Sequence, residues 1–381
     1  MAPASIIEIN KESINKKIYW HIDDIKPISN INLQELKARC LKLLRQAVKR
    51  QLSCLPQVDL LLSGGHDSRC LAALVSEHNS TIFSHTTQKE FGNRGDEIIS
   101  KLIAKKLNIK NDFFNLPSNM YQKNFLKYFL LMEGLTDEHF WLMPLINNLK
   151  SSIPIIDGLC GDIIFGKTYI HQNEIDNFIN NQDYHNLALA IINRRKGRKI
   201  IFDNMLDKYF HEDIASEIKK AILNSLSKEL KEINNEKNII SLFLIKNKIR
   251  RGVALAPLKM IYEKKDCILP FLDNDLMEFM LSINQGVKLE SNFYDNIINI
   301  INQSLSDIPY QSDNHNLPIP PRSNYPHQTN LANTYIKELF SSFNTSEFLK
   351  KPQEDFIYPN SKYVHFHLWY NIFYKNKIKT F

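Results

Sequence analysis

The run Val58-Asp59-Leu60-Leu61-Leu62-Ser63-Gly64-Gly65-His66-Asp67-Ser68-Arg69-Cys70-Leu71-Ala72-Ala73-Leu74-Val75 decides the fold. Val58 to Leu62 is a short, mainly apolar stretch of the kind that forms a buried strand. Ser63 to Ser68 interrupts it with two glycines, and Cys70, Leu71, Leu74 and Val75 resume at helical spacing. The order is strand, glycine loop, helix. In such a loop the glycines permit backbone conformations and a close approach that a side chain would block. The helix start adds N–H donors and the positive end of a dipole, so the segment reads as a polyphosphate cradle. Ser63 and Ser68 place a hydroxyl on each side. Asp67 cannot face phosphate directly, which implies Mg²⁺ between the two.

Toward the N-terminus, Asn32 and Glu35 form a capping-box pattern. It opens a helix whose apolar positions Leu33, Leu36, Cys40, Leu43, Leu44, Ala47 and Val48 keep a 3.6-residue period. Residues 1–30 read as short extended pieces around a polar turn at 10–17. Toward the C-terminus the strand–helix unit recurs without a glycine loop. Residues 81–86 read as a strand and 96–107 as a helix, with acids in its first turn and lysines near its end. A third strand at 112–116 precedes helical stretches at 121–132 and 139–149, and a fourth lies at 153–156. Strands alternating with helices predict an α/β fold: a parallel sheet with helices on both faces. Ligands in such sheets bind beyond the carboxyl ends of the strands, where strand order reverses. Residues 174–300 read as mostly helical, with a basic loop at 194–199, and 309–326 are proline-rich and irregular. The expected organisation is an extension at 1–31, a nucleotide-binding domain with a helical second half at 32–326, and a basic, aromatic segment at 327–381.

A composition of 43% hydrophobic and 23% charged residues over 381 positions supports a folded core and excludes disordered or collagen-like classes. The net charge of +7 is too dilute for a dedicated nucleic-acid binder, so nucleic acid is not expected as a partner. Five cysteines, an odd number without a C-x-x-C pair, argue against a zinc site or disulfide framework and point to a reducing, cytoplasmic setting. No membrane span or export signal is read in the sequence, so no membrane partner is expected.

A second glycine-bearing segment, Asp157-Gly158-Leu159-Cys160-Gly161-Asp162, leaves the fourth strand. Gly161 to Thr168 matches the Walker A letters G-x-x-x-x-G-K-[ST], but Ile163, Ile164 and Phe165 are too bulky for a loop that curls around phosphates. Asp162 is better read as a second carboxylate for Mg²⁺, with Gly158 letting the chain approach the nucleotide. Blander readings suit the rest. His66 stands at a variable loop position, Cys160 fills a small space, His365 and His367 lack companion ligands, and the 194–199 run is a solvated loop.

Three segments together resemble the asparagine synthetase family. The Ser63–Ser68 loop resembles its Ser-Gly-Gly-x-Asp-Ser pyrophosphate loop. Residues 157–166 resemble its second motif, a glycine-rich turn bearing a metal aspartate. Pro270-Phe271-Leu272-Asp273, with the helix after it, resembles its third. Residues 2–20 are similar to the tail that leads from the family's glutaminase domain into its synthetase domain. The resemblance implies a PP-loop fold of the adenine nucleotide α-hydrolase type. It also implies a domain that uses ATP and Mg²⁺, makes an acyl-adenylate from a small-molecule or peptide carboxylate, and passes it to ammonia or an amine. By that resemblance Ser63, Gly64, Gly65, Asp67 and Ser68 hold pyrophosphate, Asp67 and Asp162 bind the metal, and Gly158 lies by the nucleotide.

The chain also departs from the family pattern. Ala2 stands where the glutaminase nucleophile would be a cysteine, so glutamine hydrolysis is not expected and nitrogen would come free or from a separate glutaminase or biosynthetic partner. Leu159 replaces an acid that takes part in acyl transfer, and residues 308–318 show no counterpart of a lysine that meets pyrophosphate charge. No catalytic residue is therefore assigned from the sequence. Two alternatives stay open at this level: a nucleotide-binding homologue that has lost turnover, and a tRNA-modifying PP-loop enzyme.

Overall fold

The computed structural model describes residues 4–310 apart from 30–31, 79, 88–93, 118, 134, 137–138, 151, 168–169, 194–206 and 208–209. The basic run at 194–199, the prolines after 310, the C-terminal segment and its His365 and His367 lie outside the described residues. Helix α1 (Leu33–Leu52) begins where the capping box places it, with the Glu35 N–H donating to the Asn32 side chain at 2.8 Å. Its apolar stripe, including Leu36, Cys40, Leu44 and Val48, is buried.

The N-terminal extension forms an antiparallel hairpin, β1 (Ser5–Ile9) with β2 (Ile14–Ile18), followed by a strap. Trp20 Nε1 donates to Glu278 at 2.6 Å, and the Ile28 N–H to the Ser282 carbonyl at 2.8 Å, holding the strap to the domain.

Strands β3 (Gln57–Leu61), β4 (Thr81–Thr87), β5 (Lys110–Phe114), β6 (Ile155–Ile156) and β7 (Cys267–Ile268) make one sheet in the order β5-β4-β3-β6-β7, with every pair parallel. The chain leaves β3 toward one edge, then crosses to β6 on the other side. The switch in direction falls at β3, so a crevice opens beyond its carboxyl end. The loop Ser63–Ser68 lies at that position. Side-chain alternation divides the core. Val58, Leu60 and Ile156 face α1, α2 (His66–Ser76) and α3 (Gly95–Leu107). Leu61, Ile155 and Cys267 face α4 (Met120–Leu131) and α5 (Met143–Asn148). Helices thus cover both faces, as the alternating pattern predicts.

Beyond β6 a single turn, α6 (Gly161–Ile164), leads into α7 (Gln172–Asn180), α8 (Tyr184–Asn193), α9 (Glu212–Lys231) and α10 (Ile239–Leu244). Residues of these helices build a separate apolar cluster with Leu187, Leu230 and Leu242 at its centre. A π-helical segment, Ile245–Val253, runs into α11 (Leu255–Tyr262). After β7 come α12 (Asn274–Ser282), α13 (Gln285–Glu290) and α14 (Phe293–Ile301).

The region read as mostly helical, 174–300, also contributes one strand, β7, to the sheet. Two further expectations are amended. The fourth strand shrinks from 153–156 to Ile155–Ile156, and the helix expected at 139–149 starts as a 3₁₀ turn, Phe140–Leu142, because Pro144 enters α5 at its first turn. Among the described residues no helix is long and apolar enough to cross a membrane.

Candidate active site

The cradle is organised by its own side chains. Ser68 Oγ accepts from the Ser63 N–H at 3.0 Å and lies 3.0 Å from Ser63 Oγ, and the Gly65 N–H donates to Ser63 Oγ at 3.2 Å. The Gly64 N–H donates to Asp96 Oδ1, from the start of α3, at 2.7 Å. Gly65 is the N-cap of α2, so the helix N-terminus opens onto the loop.

Asp67 points inward from the first turn of α2. Tyr294 on α14 donates its hydroxyl to Asp67 Oδ1 at 2.8 Å, and its ring stacks on Phe165 at 3.8 Å. The backbone N–H of Asp162 also donates to Asp67. Burial pushes the Asp67 carboxyl well above the usual carboxylate range, and the charge of Asp162 adds to the rise. Burial raises Asp162 too, opposed chiefly by Lys248. The two aspartates singled out for metal thus stand together, each uncomfortable as an anion.

The two glycines of the second motif explain how this is possible. A Cβ on Gly158 would lie 2.8 Å from Asp67 Cβ, and one on Gly161 would lie 2.6 Å from Asp67 Oδ1 and 2.9 Å from Phe271. Both are packing glycines for Asp67, and Gly158 also borders the cavity. The Walker letters do not form a phosphate loop. Residues 161–164 coil as α6, and Ile163, Ile164 and Phe165 are buried in the core. Cys160 precedes α6 with φ of 76°, and burial pushes its thiol upward, which fits a packing residue.

Ser63, Asp67, Ser68, Gly158 and Asp162 line one cavity of about 290 Å³ at the carboxyl end of β3. Its far wall is more apolar, with Trp141, Leu142, Val253 and Pro257. Sequence reasoning missed Lys248, which reaches the cavity from the π-helical segment and is the cation nearest in effect to Asp162. Its signal would have been the π turn, which places residues at a spacing no 3.6 period anticipates. Leu159, at the position of the missing acid, is buried with apolar neighbours.

His66 is more than a tolerated side chain. Its ring stacks on Tyr310 at 3.5 Å, and Asp295 Oδ1 and Lys167 Nζ both lie within hydrogen-bond reach of Nε2. Burial alone would raise the Asp295 carboxyl, but the His66 bond and the Lys167 charge hold it down at about 2. Arg69, fully buried, donates to the carbonyls of Leu305, Ile308 and Pro309 at 3.2, 2.6 and 2.8 Å and lies 3.9 Å over the Tyr310 ring.

A parallel sheet with a serine–glycine loop at its switch point, and two half-buried carboxylates and a lysine around the cavity there, has the architecture of the PP-loop class. Within that class the chain belongs to the asparagine synthase family, whose sequence profile matches residues 39–232. It is 26% identical over 185 residues to a Methanocaldococcus jannaschii protein named as asparagine synthetase 2 (glutamine-hydrolyzing). That alignment takes in 44% of this chain and 33% of the relative, so the chain spans about a third of the relative's length. Among solved structures it is similar to an NH3-dependent NAD synthetase from Campylobacter jejuni (16% identity, TM-score 0.25, 59% of this chain and 96% of that one). An NMN synthetase from Francisella tularensis also matches (12% identity, TM-score 0.25, 36% and 60%).

Proposed function

We propose that the chain activates a carboxylate with ATP, forming an acyl-adenylate and pyrophosphate, and then joins the acyl group to ammonia or an amine. The observation that carries this reading is the pairing of Asp67 with Asp162 beside the Ser63–Ser68 cradle. Two half-buried carboxylates, both raised by burial and Asp67 raised further by the charge of Asp162, suit a divalent cation, which would relieve both. Among the described residues no group of three or more His, Cys, Asp or Glu is placed to hold a metal ion by itself. Two carboxylates with phosphate oxygens completing the shell is the arrangement Mg²⁺ favours. Asp67 and Asp162 would hold Mg²⁺, which when bound supplies charge neutralisation for the departing pyrophosphate.

The protein's own groups do the rest. Ser63, Ser68 and the N-terminus of α2 bind phosphate oxygens, and Tyr294 fixes the Asp67 rotamer. Lys248 offers positive charge on the cavity side, where the C-terminal lysine of the resemblance was not found. The apolar wall around Trp141 and Pro257 excludes water, which protects an acyl-adenylate from hydrolysis. The carboxylate is a small molecule or peptide, the nitrogen arrives free or from a separate glutaminase, and five free thiols suit the cytosol.

The test is incubation of the purified chain with Mg-ATP and pools of carboxylic acids. Acid-dependent AMP and pyrophosphate in equal amounts are expected, and both are lost in Asp67→Ala and Asp162→Ala. No AMP with any acid, together with no ATP binding, would sink the reading. AMP formed only with tRNA would transfer it to tRNA modification.

A further inference from the structure

The hairpin of β1 and β2 stands apart from the five-stranded sheet as a sheet of its own. Its turn is closely bonded. The Asn10 N–H donates to the Ser13 carbonyl at 3.0 Å, and the Asn10 side chain accepts from the N–H groups of Glu12 and Ser13 at 2.9 and 2.8 Å. At the open end the Tyr19 N–H donates to the Ala4 carbonyl at 2.9 Å. No residue of either strand is buried. A two-stranded hairpin is marginal in water by itself, and a further strand is what stabilises it.

Bonded pairs alternate along an antiparallel ladder. With Ala4 bonded to Tyr19 and Asn10 to Ser13, Ile6 and Glu8 turn their backbone groups toward β2, whereas Ile7 and Ile9 turn theirs outward. On β2 the outward residues are Ile14, Lys16 and Ile18. Among the described residues no strand takes up either outer edge. The two edges differ in chemistry. Lys16 stands in the middle of the β2 edge, the kind of charge by which native sheets discourage further pairing. The β1 edge carries no such guard. Ile7 and Ile9 are exposed there, and their side chains share a face with Ile14 and Ile18.

We propose that the β1 edge is an interface for a second copy of this chain, β1 pairing antiparallel with β1 across a two-fold axis at Ile7. Charge selects this register. Centred on Ile7, the pairing sets Ile7 opposite Ile7, Ile6 opposite Glu8 and Ser5 opposite Ile9, so no like charges face each other. Centred on Glu8, it would oppose two carboxylates, and pairing of β2 with β2 about Lys16 would oppose two ammonium groups. Pairing of β1 with β2 of the next copy would leave a free edge at each end and grow without limit, and Lys16 stands against it. The two-fold arrangement closes. It makes one four-stranded sheet in the order β2-β1-β1-β2, guarded by Lys16 on both outer edges, with the isoleucines of the two hairpins side by side. A strand edge with its flanking side chains is smaller than the roughly 800 Å² per partner of a standard interface, so the dimer is a weak one.

Sedimentation velocity on the full chain, over about 5 to 500 μM, covers the affinities expected of such a contact. A reversible monomer–dimer equilibrium is expected. Ile7→Lys and Ile7→Glu each place a charge opposite its own copy, so either variant alone should stay monomeric. Mixed in equal amounts, the two should associate again, because lysine then faces glutamate. A chain that is monomeric throughout, an assembly larger than a dimer, a dimer that survives Ile7→Lys, or a mixture that fails to associate overturns the proposal. Crosslinking reads the register separately. Bonded pairs hold their Cα atoms about 5.5 Å apart, within the span of a disulfide. In a chain whose exposed Cys54 is replaced by serine, Ile7→Cys should therefore be joined to a second copy by oxidised glutathione, and Lys16→Cys should not. No crosslink at position 7, or equal yields at both positions, overturns the pairing about Ile7.

Discussion

Asp67 is held by Tyr294 and crowded by two glycines, and its charge has a stability cost in the metal-free chain. Asp67→Asn keeps an oxygen for the Tyr294 hydroxyl and removes a buried anion. We expect it to abolish AMP release while raising the metal-free Tm by roughly 2–4 °C, the shift that about 1 kcal/mol produces in a domain of 150–250 residues. A melting curve beside the AMP assay checks both halves. Gly161→Ala should act in the other direction, since its Cβ would meet Asp67 Oδ1 at 2.6 Å and the Phe271 ring at 2.9 Å. Overpacking of this kind costs about 1–3 kcal/mol. Gly252→Ala, with nothing within 4 Å of the new Cβ, is the control that should hold its urea midpoint. The residues of the loop were legible in the sequence because strand, glycines and helix are contiguous there. Lys248, Tyr294 and Asp295 were not, since Lys248 lies 86 positions beyond Asp162 and the other two more than 220 beyond their partners in the loop, and nothing local marks a residue whose partner is distant.

Among the elements, the long ones announced themselves. The apolar period of α1 and its capping box were readable because twenty residues repeat the pattern several times. Asn32→Ala should cost about 1 kcal/mol, seen as a lower denaturant midpoint with an unchanged slope. The Asp of Pro270-Phe271-Leu272-Asp273 was placed at the start of a helix by resemblance, and Asp273 does cap α12, accepting from the Leu276 N–H at 3.3 Å. The two-residue strand β7 escaped because two residues carry no period, and what makes Cys267–Ile268 extended is the neighbour strand it pairs with, whereas β6 was read with two residues too many. Sheet order was likewise beyond local signals, because the choice of which edge β6 joins is made by packing across the whole domain.

For the molecule as a whole, Lys288 ties the second motif to the helical half. It is fully buried and donates to the carbonyls of Ile164 and Met280 at 2.9 and 2.8 Å and to Asn238 Oδ1 at 3.3 Å. Burial pushes its pKa down to about 7, against roughly 10.4 in an unfolded chain. Between these values the unfolded chain holds a proton that the folded one has released, so this residue's contribution to stability rises with pH above about 7. The opposite effect sets in near pH 9 as exposed thiols of the unfolded chain ionise, because burial holds the Cys40 thiol far higher in the folded state. The stability gap between wild type and Lys288→Met, from urea titrations, should therefore widen from pH 7 to pH 9. The variant should also be weaker throughout by about 2 kcal/mol, the cost of carbonyls left without a donor.

The clamp of Arg69 on residues 305–309 also has a bearing on how the protein is made. Arg69 belongs to the helix that carries the phosphate loop, yet its three carbonyl partners are translated more than 230 residues later. Asp67 waits similarly for Tyr294. On the ribosome the strand, loop and helix emerge early, but these three carbonyls reach the guanidinium only after the last described turn has left the exit tunnel. Nucleotide binding should thus be one of the final competences a nascent chain acquires, and a chain arrested before position 305 should remain unable to bind it.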